Sequence, residues 1–162
     1  MKSKIYTAEE AVKLIKPGST VGISGFVGTG HPEEISKAVE ESFLKTGVPN
    51  NLTLTFGASQ SDARTNCGLN RWCKEGLVKK IIAGHFNLQV DLANLINEEK
   101  VEAYAVPQGV MIHLFRAIGG RKPGVITTVG MKTFADPRNG GGSLNKRSQE
   151  KIVELVQLGG KE

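Results

Sequence analysis

The sequence has few cysteines, few aromatic side chains and no long apolar run. Only Cys67 and Cys73 occur among its 162 residues, and aromatic residues make up 6%. Two thiols that lack Cys-x-x-Cys spacing and a matching histidine pattern provide neither a disulfide framework nor a zinc site. No apolar stretch reaches the roughly 18 residues that a membrane helix needs, and the first residues show no signal-peptide pattern. We therefore expect a cytoplasmic protein with reduced cysteines and no membrane association.

Basic charge is unevenly distributed. The net charge is +5, yet residues 116–151 alone carry eight basic and two acidic side chains, a net +6. A local basic excess attracts anionic ligands, but a solvated face or a contact with another chain segment is its commoner explanation. Aromatic residues are not interleaved with these basic residues, so nucleic acid binding is not expected. His31, His85 and His113 lie in separate segments, and no metal site is predicted from them.

Strands and helices alternate along the chain. Thr7 and Glu10 form a capping box at the start of the first helix, and Pro17-Gly18 ends that helix near Ile15. Further helices are predicted over residues 32–47, 88–97 and 108–118, and strands over residues 20–23, 52–56, 77–83, 101–106 and 125–129. This alternation predicts an α/β fold, an open and mainly parallel sheet with helices on both faces.

The last residues carry a short apolar pattern. Residues 152–158 are typical of a short strand or a helix end, and Gly159-Gly160 could begin a hairpin turn. A strand here would lack its returning neighbour, an exposure that complete domains usually avoid. We therefore expect residues 1–162 to form one domain that is truncated at its C-terminus.

A glycine-rich loop lies between the first strand and the second helix. Gly25, Gly28 and Gly30 place backbone N–H groups where a phosphate or a developing oxyanion could bind. The alternative is that a tight strand-to-helix turn needs glycine for positive φ. The loop is not a dinucleotide fingerprint, because Glu33 stands where the last glycine would be. Ser24 lacks the second glycine of the hydrolase motif Gly-x-Ser-x-Gly.

Two further segments carry polar groups suited to anions. Gln108 follows an apolar strand in Pro107-Gln108-Gly109, and such a position faces the ligand crevice of an open α/β sheet. Its amide would either donate to an anionic intermediate or cap the following helix. Residues 136–142 are expected to form a flexible polar loop in which Arg138 could hold a carboxylate or a phosphate. A plain surface loop is the commoner role of such a segment.

Taken together, these three segments resemble family I coenzyme A transferases. Ser24-Gly25-Phe26-x-x-x-Gly30-x-Pro32 is similar to the family signature Gly-Gly-Phe-x-x-x-Gly-x-Pro, with Ser24 in place of the first glycine. Pro107-Gln108-Gly109 also fits, whereas Pro17-Gly18 departs from the usual Asp/Asn-Gly pair. The Ser-Gly-Phe segment and residues 136–142 are similar to the acetate and propionate CoA-transferase branch. The similarity covers essentially the whole chain, which would correspond to the amino-terminal, alpha-subunit-like part.

The resemblance implies a fold and an activity. The fold would be the one that CoA transferases share with phosphosugar isomerases. In the family, a glutamate attacks the acyl-CoA thioester, and CoA passes to a short-chain carboxylic acid through a glutamyl-CoA thioester. Coenzyme A would be a co-substrate, with no permanently bound cofactor. No Ser-Glu-Asn-Gly-like motif is present, so the nucleophile is expected in a complementing C-terminal half or beta-like subunit of a homo- or hetero-oligomer, and the isolated chain is expected to be inactive.

The resemblance also assigns roles to particular residues. Gln108 would stabilise the oxyanion or position the substrate. The substrate- and CoA-binding residues would come from the two loops: Ser24, Gly25, Phe26, Gly28, Gly30, Arg138, Gly140 and Gly141. Two alternatives remain open, namely a non-catalytic phosphosugar- or CoA-binding module of the same fold and an inert product of a truncated gene.

Overall fold

The computed structural model describes residues 4–63 and 66–160. The helices are α1 (Ala8–Val12), α2 (Glu33–Thr46), α3 (Val90–Asn97) and α4 (Gln108–Gly119), and the strands are β1 (Thr20–Gly22), β2 (Leu52–Phe56), β3 (Val78–Ala83) and β4 (Glu102–Ala105). Two 3₁₀ helices span Gly68–Trp72 and Pro137–Asn139. None of the described helices is long and apolar enough to cross a membrane.

The first helix begins as predicted and ends early. Thr7 Oγ1 accepts a hydrogen bond from the Glu10 N–H at 3.3 Å, and Glu10 Oε2 accepts one from the Thr7 N–H at 2.9 Å, which completes the capping box. The helix ends at Val12 rather than near Ile15. The reason is that the Ile15 N–H bonds the Val12 carbonyl, three residues back, in a turn tighter than the α-helix.

The four strands form one parallel sheet in the order β1-β2-β3-β4. This confirms the predicted parallel α/β fold. Each connection returns from the carboxyl end of one strand to the amino end of the next, and such crossovers are right-handed. The sequential order therefore places α2, the first 3₁₀ helix and α3 on one face, where α2 and α3 each contact that 3₁₀ helix.

The hydrophobic core lies between the sheet and these helices. Alternate residues of β2 face it, and Leu52, Leu54 and Phe56 are at most 2% exposed. Trp72 is also buried and donates its indole N–H to the Ser36 carbonyl of α2 at 3.1 Å. Burial of one large apolar side chain contributes about 1.5–3 kcal/mol to stability. The apolar face of β2 is therefore the face that α2 covers.

Helix α4 crosses the opposite face of the sheet. A methyl group on Gly84, after β3, would lie 2.7 Å from the Gln108 Cα, and one on Gly57, after β2, would lie 3.0 Å from Ile112 Cδ1. A methyl group on Gly22 of β1 would lie 3.7 Å from Phe115. The helix therefore runs from the end of β4 across β3 and β2 to β1, and helices cover both faces of the sheet as predicted.

Two predicted elements are wrong. Residues 125–129 form no strand, because the outer edge of β4 is already paired with another segment. The Ala105 N–H donates to the Gly142 carbonyl at 2.8 Å, and the Leu144 N–H donates to the Ala103 carbonyl at 2.9 Å. Residues 152–158 also form neither a helix nor a named strand. Both segments instead line a groove beside α4.

Candidate functional site

The glycine-rich loop folds as a tight hairpin. Phe26 and Thr29 exchange two backbone hydrogen bonds, each 2.9 Å long, so that Val27 and Gly28 form a two-residue turn. Val27 lies in the left-handed region at φ 54°, which a β-branched residue seldom occupies. The Phe26 side chain is 63% exposed. Residues 26–29, here called the Phe26 hairpin, therefore present an aromatic ring at the surface.

The hairpin has most of its backbone donors already engaged. The Phe26 N–H donates to the Thr29 carbonyl and the Thr29 N–H donates to the Phe26 carbonyl, while the Val27 N–H donates to the Ser59 carbonyl at 2.9 Å. Within residues 4–63 and 66–160, the N–H groups of Gly28 and Gly30 have no backbone acceptor. These two N–H groups, one in the hairpin and one directly after it, remain for a ligand.

The start of α2 is less suited to an anion than the sequence indicates. Pro32, at its N-cap, has no N–H, and Glu33 and Glu34 already bring negative charge to the first turn. Glu33 accepts hydrogen bonds from Arg71 Nε at 2.6 Å and from the Gly68 N–H at 2.8 Å. Burial acts to raise the pKa of Glu33, but these bonds outweigh it and hold the pKa below its ordinary value.

A buried glutamine holds both ends of the same loop. Gln60 is fully buried, and its Nε2 donates to the Ile23 carbonyl, before the loop, at 3.1 Å. Its Oε1 lies 2.7 Å from His31 Nδ1, after the loop, and His31 Nε2 lies 2.6 Å from Ser36 Oγ of α2. Neither Gln60 nor Ser36 was predicted from the sequence, because no local pattern marks a single polar residue after a strand or in a helix as buried.

Gln108 occupies the first position of α4 and is exposed. The N-cap of that helix is Pro107, and no side chain caps it. The alternative role of Gln108 as a helix cap is therefore not observed. Its backbone rests on Gly84, where any larger residue would also meet the Gly57 carbonyl oxygen at 2.5 Å. Backbone packing thus places Gln108 at the carboxyl edge of the sheet, with its amide exposed.

The Phe26 hairpin and Gln108 lie at the same edge of the sheet. The Val27 N–H donates to the Ser59 carbonyl, and Ser59 Oγ donates to the His85 carbonyl, after β3, at 3.0 Å. Gln108 packs against the segment after β3 as well, through Gly84. All of these contacts occur where the parallel strands end, which is where open α/β sheets bind ligands.

Residues 136–142 form a hydrogen-bonded turn around Asp136. Asp136 is 1% exposed and accepts hydrogen bonds from the Lys132 N–H at 2.7 Å and from the backbone N–H and side chain of Arg138. The two side chains form a bidentate pair at 2.9 Å, which holds the pKa of Asp136 well below its usual range. Any anion bound by Arg138 would have to share its guanidinium with Asp136.

This turn lies beside the end of β4. The Gly142 carbonyl accepts from the Ala105 N–H, and a methyl group on Gly142 would lie 2.4 Å from the Ala105 carbonyl oxygen. Arg138, Gly140 and Gly141 are therefore carried beside the strand that leads into Gln108.

Comparison with known proteins shows the family of the chain. The sequence profile of the family described as "Coenzyme A transferase" matches residues 5–162. The chain belongs to the coenzyme A transferase family. Caffeate CoA-transferase of Acetobacterium woodii is similar to it, with 42% identity over 160 residues that make up 99% of this chain and 30% of the relative.

Solved CoA-transferase structures share the fold. The apoenzyme of acyl-CoA transferase (YdiF) from Escherichia coli O157:H7 superposes with a TM-score of 0.91 at 31% identity, covering 97% of this chain and 30% of that one. Its thioester complex with CoA gives 0.89 at 30% identity, covering 96% and 30%. The alpha subunit of the acetoacetyl-CoA:acetate/butyrate CoA transferase of Clostridium acetobutylicum is 27% identical over 96% of this chain and 66% of that subunit. The chain thus spans about 30% of the first two relatives.

In this CoA-transferase chain, an apolar groove opens beside α4. Its volume is about 990 Å³, and it is lined by Val110 and Leu114 of α4 and by residues 122–131 and 152–158. Several of its apolar side chains are exposed, among them Ile126 at 73% and Leu158 at 54%. A smaller polar groove along the C-terminal half of α4 contains His113, Arg116 and Lys122, and so holds part of the basic excess.

Among the described residues, no group of three or more His, Cys, Asp and Glu side chains could hold a metal ion. Both cysteine side chains are half-buried: Cys67 Sγ donates to Asp62 Oδ1 at 3.6 Å, and Cys73 Sγ donates to the Leu69 carbonyl at 3.4 Å. Burial, reinforced by the negative charge of Asp91, raises the pKa of Cys73 to about 12.

Proposed function

We propose that this chain supplies the amino-terminal part of a CoA-transferase active site. The whole enzyme would move CoA between a short-chain acyl-CoA and a carboxylic acid through a glutamyl-CoA thioester whose glutamate lies outside this chain. One observation carries the proposal: in a chain of this family, the Phe26 hairpin and Gln108 lie at the same carboxyl edge of the sheet.

Gln108 is proposed to stabilise the oxyanion or to position the substrate. Each step of the ping-pong cycle passes through a tetrahedral intermediate with a negative oxygen, which needs a donor aimed at it. The Gln108 amide is exposed, and no hydrogen bond within the described residues engages it. Such a donor contributes about 3 kcal/mol to transition-state stabilisation.

The loop residues are proposed to shape the pocket for the acyl-CoA. Ser24, Gly25, Phe26, Gly28 and Gly30 would provide an aromatic wall and the two remaining N–H donors. From the other side, Arg138 with Gly140 and Gly141 would approach the anionic part of the substrate. Because Asp136 shares that guanidinium, the contact would be weaker than one with an uncompensated cation.

The rest of the active site is proposed to come from a complementing C-terminal half or beta-like subunit within an oligomer. Near the hairpin, Glu33 is committed to Arg71 and the Gly68 N–H and so is a poor nucleophile. The exposed apolar groove beside α4 favours further polypeptide packing there, since apolar patches of this kind mark protein contacts. We place the reaction in the cytoplasm, with coenzyme A as co-substrate and no permanently bound cofactor.

A fusion enzyme tests this proposal. The 162-residue chain would be joined to the part of A. woodii caffeate CoA-transferase that follows its matched region, and exchange of labelled acetate with acetyl-CoA would be followed. We expect exchange by the fusion, none by the chain alone, and a loss of about 100-fold in kcat for Gln108→Ala. Exchange by the chain alone would contradict the proposal, as would an unchanged rate for the Gln108→Ala fusion.

A binding experiment separates the alternative functions. In a thermal-shift assay, the CoA-transferase role predicts stabilisation of the fusion by CoA and none by sugar phosphates. Stabilisation by sugar phosphates would favour a phosphosugar-binding module. Stabilisation by CoA without any exchange would favour a non-catalytic CoA-binding module. A folded fusion that neither binds nor exchanges would favour an inert gene product.

A further inference from the structure

The amide of Gln60 joins the entry and the exit of the glycine-rich loop. Its Nε2 donates to the carbonyl of Ile23, the last residue before the loop, at 3.1 Å, and its Oε1 lies 2.7 Å from Nδ1 of His31, which follows the loop. The preceding residue, Ser59, accepts the hydrogen bond from the Val27 N–H at the tip. Two adjacent residues therefore hold the entry, the tip and the exit of one loop.

These bonds select one tautomer of His31. Because Gln60 Nε2 is the donor to the Ile23 carbonyl, Oε1 is the atom that faces the ring, and an amide oxygen only accepts. His31 Nδ1 must therefore carry the hydrogen. In the neutral ring Nε2 is then an acceptor, and it receives the hydroxyl hydrogen of Ser36, which is fully buried, at 2.6 Å.

Gln60 is itself held firmly. Its backbone carbonyl accepts from the Leu69 N–H at 2.9 Å, and its side chain is fully buried. Gly25 packs directly on the amide, where a methyl group would lie 2.8 Å from Oε1. The loop is thus seated on the amide without space for any side chain at that position.

We propose that Gln60 and His31 are positioning residues, which hold the Phe26 hairpin in the orientation that the acyl-CoA meets. This inference rests on the proposed function, since it assigns a purpose to the hairpin. A hydrogen-bonded relay fixes orientation in a way that apolar packing does not, because each donor must meet one acceptor. Neither side chain contacts the substrate in this proposal; both act through the hairpin.

The tautomer can be measured on the chain alone, whether or not the fusion is active. Long-range ¹H–¹⁵N NMR at about pH 8.5, where histidine is ordinarily neutral, distinguishes hydrogen on Nδ1 from hydrogen on Nε2. We expect the Nδ1–H form for His31, assigned by its loss in His31→Asn, with His113→Ala as a control that removes only its own signals. A dominant Nε2–H form would overturn the proposal.

Variants then test the link to the hairpin. In Gln60→Met we expect the amide hydrogens of Val27 and Thr29 to exchange about tenfold faster, because the loop loses both bonds to Gln60. In Gln60→Glu we expect His31 to keep its Nδ1–H form while exchange still rises, since only the donor to Ile23 is lost. Unchanged exchange in a folded Gln60→Glu chain would refute the proposed link.

The pattern of rescue separates positioning from mere stability. Asparagine places a donor near the position of Nδ1, whereas glutamine reaches toward the position of Nε2. We expect His31→Ala to lower the kcat of the fusion about tenfold, His31→Asn to restore most of it, and His31→Gln to restore little. If the kcat values of the three variants simply followed the order of their melting temperatures, the positioning role would be contradicted. If the unmodified chain shows the Nδ1–H form but all three His31 variants keep a normal kcat, the transferase proposal stands and the positioning role is overturned.

Discussion

Gly84 lies directly beneath Gln108. A methyl group at Gly84 would lie 2.7 Å from the Gln108 Cα and 2.5 Å from the Gly57 carbonyl oxygen, so the ends of β2 and β3 and the start of α4 meet at one glycine. Real Cβ atoms do not approach backbone this closely. The position of Gln108, the proposed oxyanion donor, therefore depends on the absence of a side chain at Gly84, directly after β3.

The first prediction concerns this contact. Gly84→Ala should lower the free energy of unfolding by about 1–3 kcal/mol, because the backbone of α4 must move to admit the methyl group. In the fusion enzyme it should also lower kcat, since Gln108 moves with the helix. Urea unfolding and exchange kinetics measure both effects. Gly119→Ala is the matched control, because it lies in the same helix with no atom within 4 Å of the added methyl group. That control should be neutral or stabilising by up to about 1 kcal/mol.

The second prediction concerns the pair of Arg71 and Glu40, which ties the first 3₁₀ helix to α2. Arg71 Nη1 donates to Glu40 Oε2 at 3.0 Å, and Lys74 lies 3.1 Å from the other carboxylate oxygen. Burial acts to raise the pKa of Glu40, but the bonds from Arg71 and Lys74 outweigh it, so the pKa lies below its ordinary value. Arg71→Met should lower the free energy of unfolding by about 1–3 kcal/mol at neutral pH.

The pH dependence of that stabilisation has a definite sign. A carboxylate whose pKa is lowered by folding stabilises the native state above its unfolded pKa of about 4.3, and this stabilisation is lost as the pH falls through the folded value. The difference between wild type and Arg71→Met should therefore shrink as urea unfolding is repeated from pH 7 down to about pH 3. Lys37→Met removes an exposed 4.0 Å pair with Glu41 and should change stability by less than about 1 kcal/mol. A constant difference across this pH range would speak against the ion pair as the cause.

The third prediction concerns Cys73. Because burial raises its pKa to about 12, very little of this thiol is present as the reactive thiolate at pH 8. In Cys67→Ser, the remaining thiol should react with a disulfide reagent only slowly until denaturant is added. In Cys73→Ser, the thiol of Cys67 should react faster in the native chain. Equal rates for the two variants would show that Cys73 is accessible.

Much of the fold followed from local patterns. The capping box of Thr7 and Glu10, the four strands and the helix from Gln108 were all predicted, because alternation of apolar residues and turn residues acts over a few neighbouring positions. The predicted strand over residues 125–129 was wrong for the opposite reason. Its apolar pattern suits a strand, but the edge of β4 that it would have joined is taken by Gly142 and Leu144, and no local pattern reveals that competition.

The sequence by itself determined the family, the alternation of strands and helices, and the position of Gln108 directly after a strand. The tertiary structure alone decided that Gln60 joins the two ends of the glycine-rich loop, that Asp136 engages Arg138, and that Gln108 rests on Gly84. The features that the sequence determined depend on residue types and on spacings of a few positions, which can be seen in the sequence directly. The features that the tertiary structure decided depend on which distant segments meet at the carboxyl edge. Such meetings arise from the packing of the whole sheet, so they have no signature in the residues that make them.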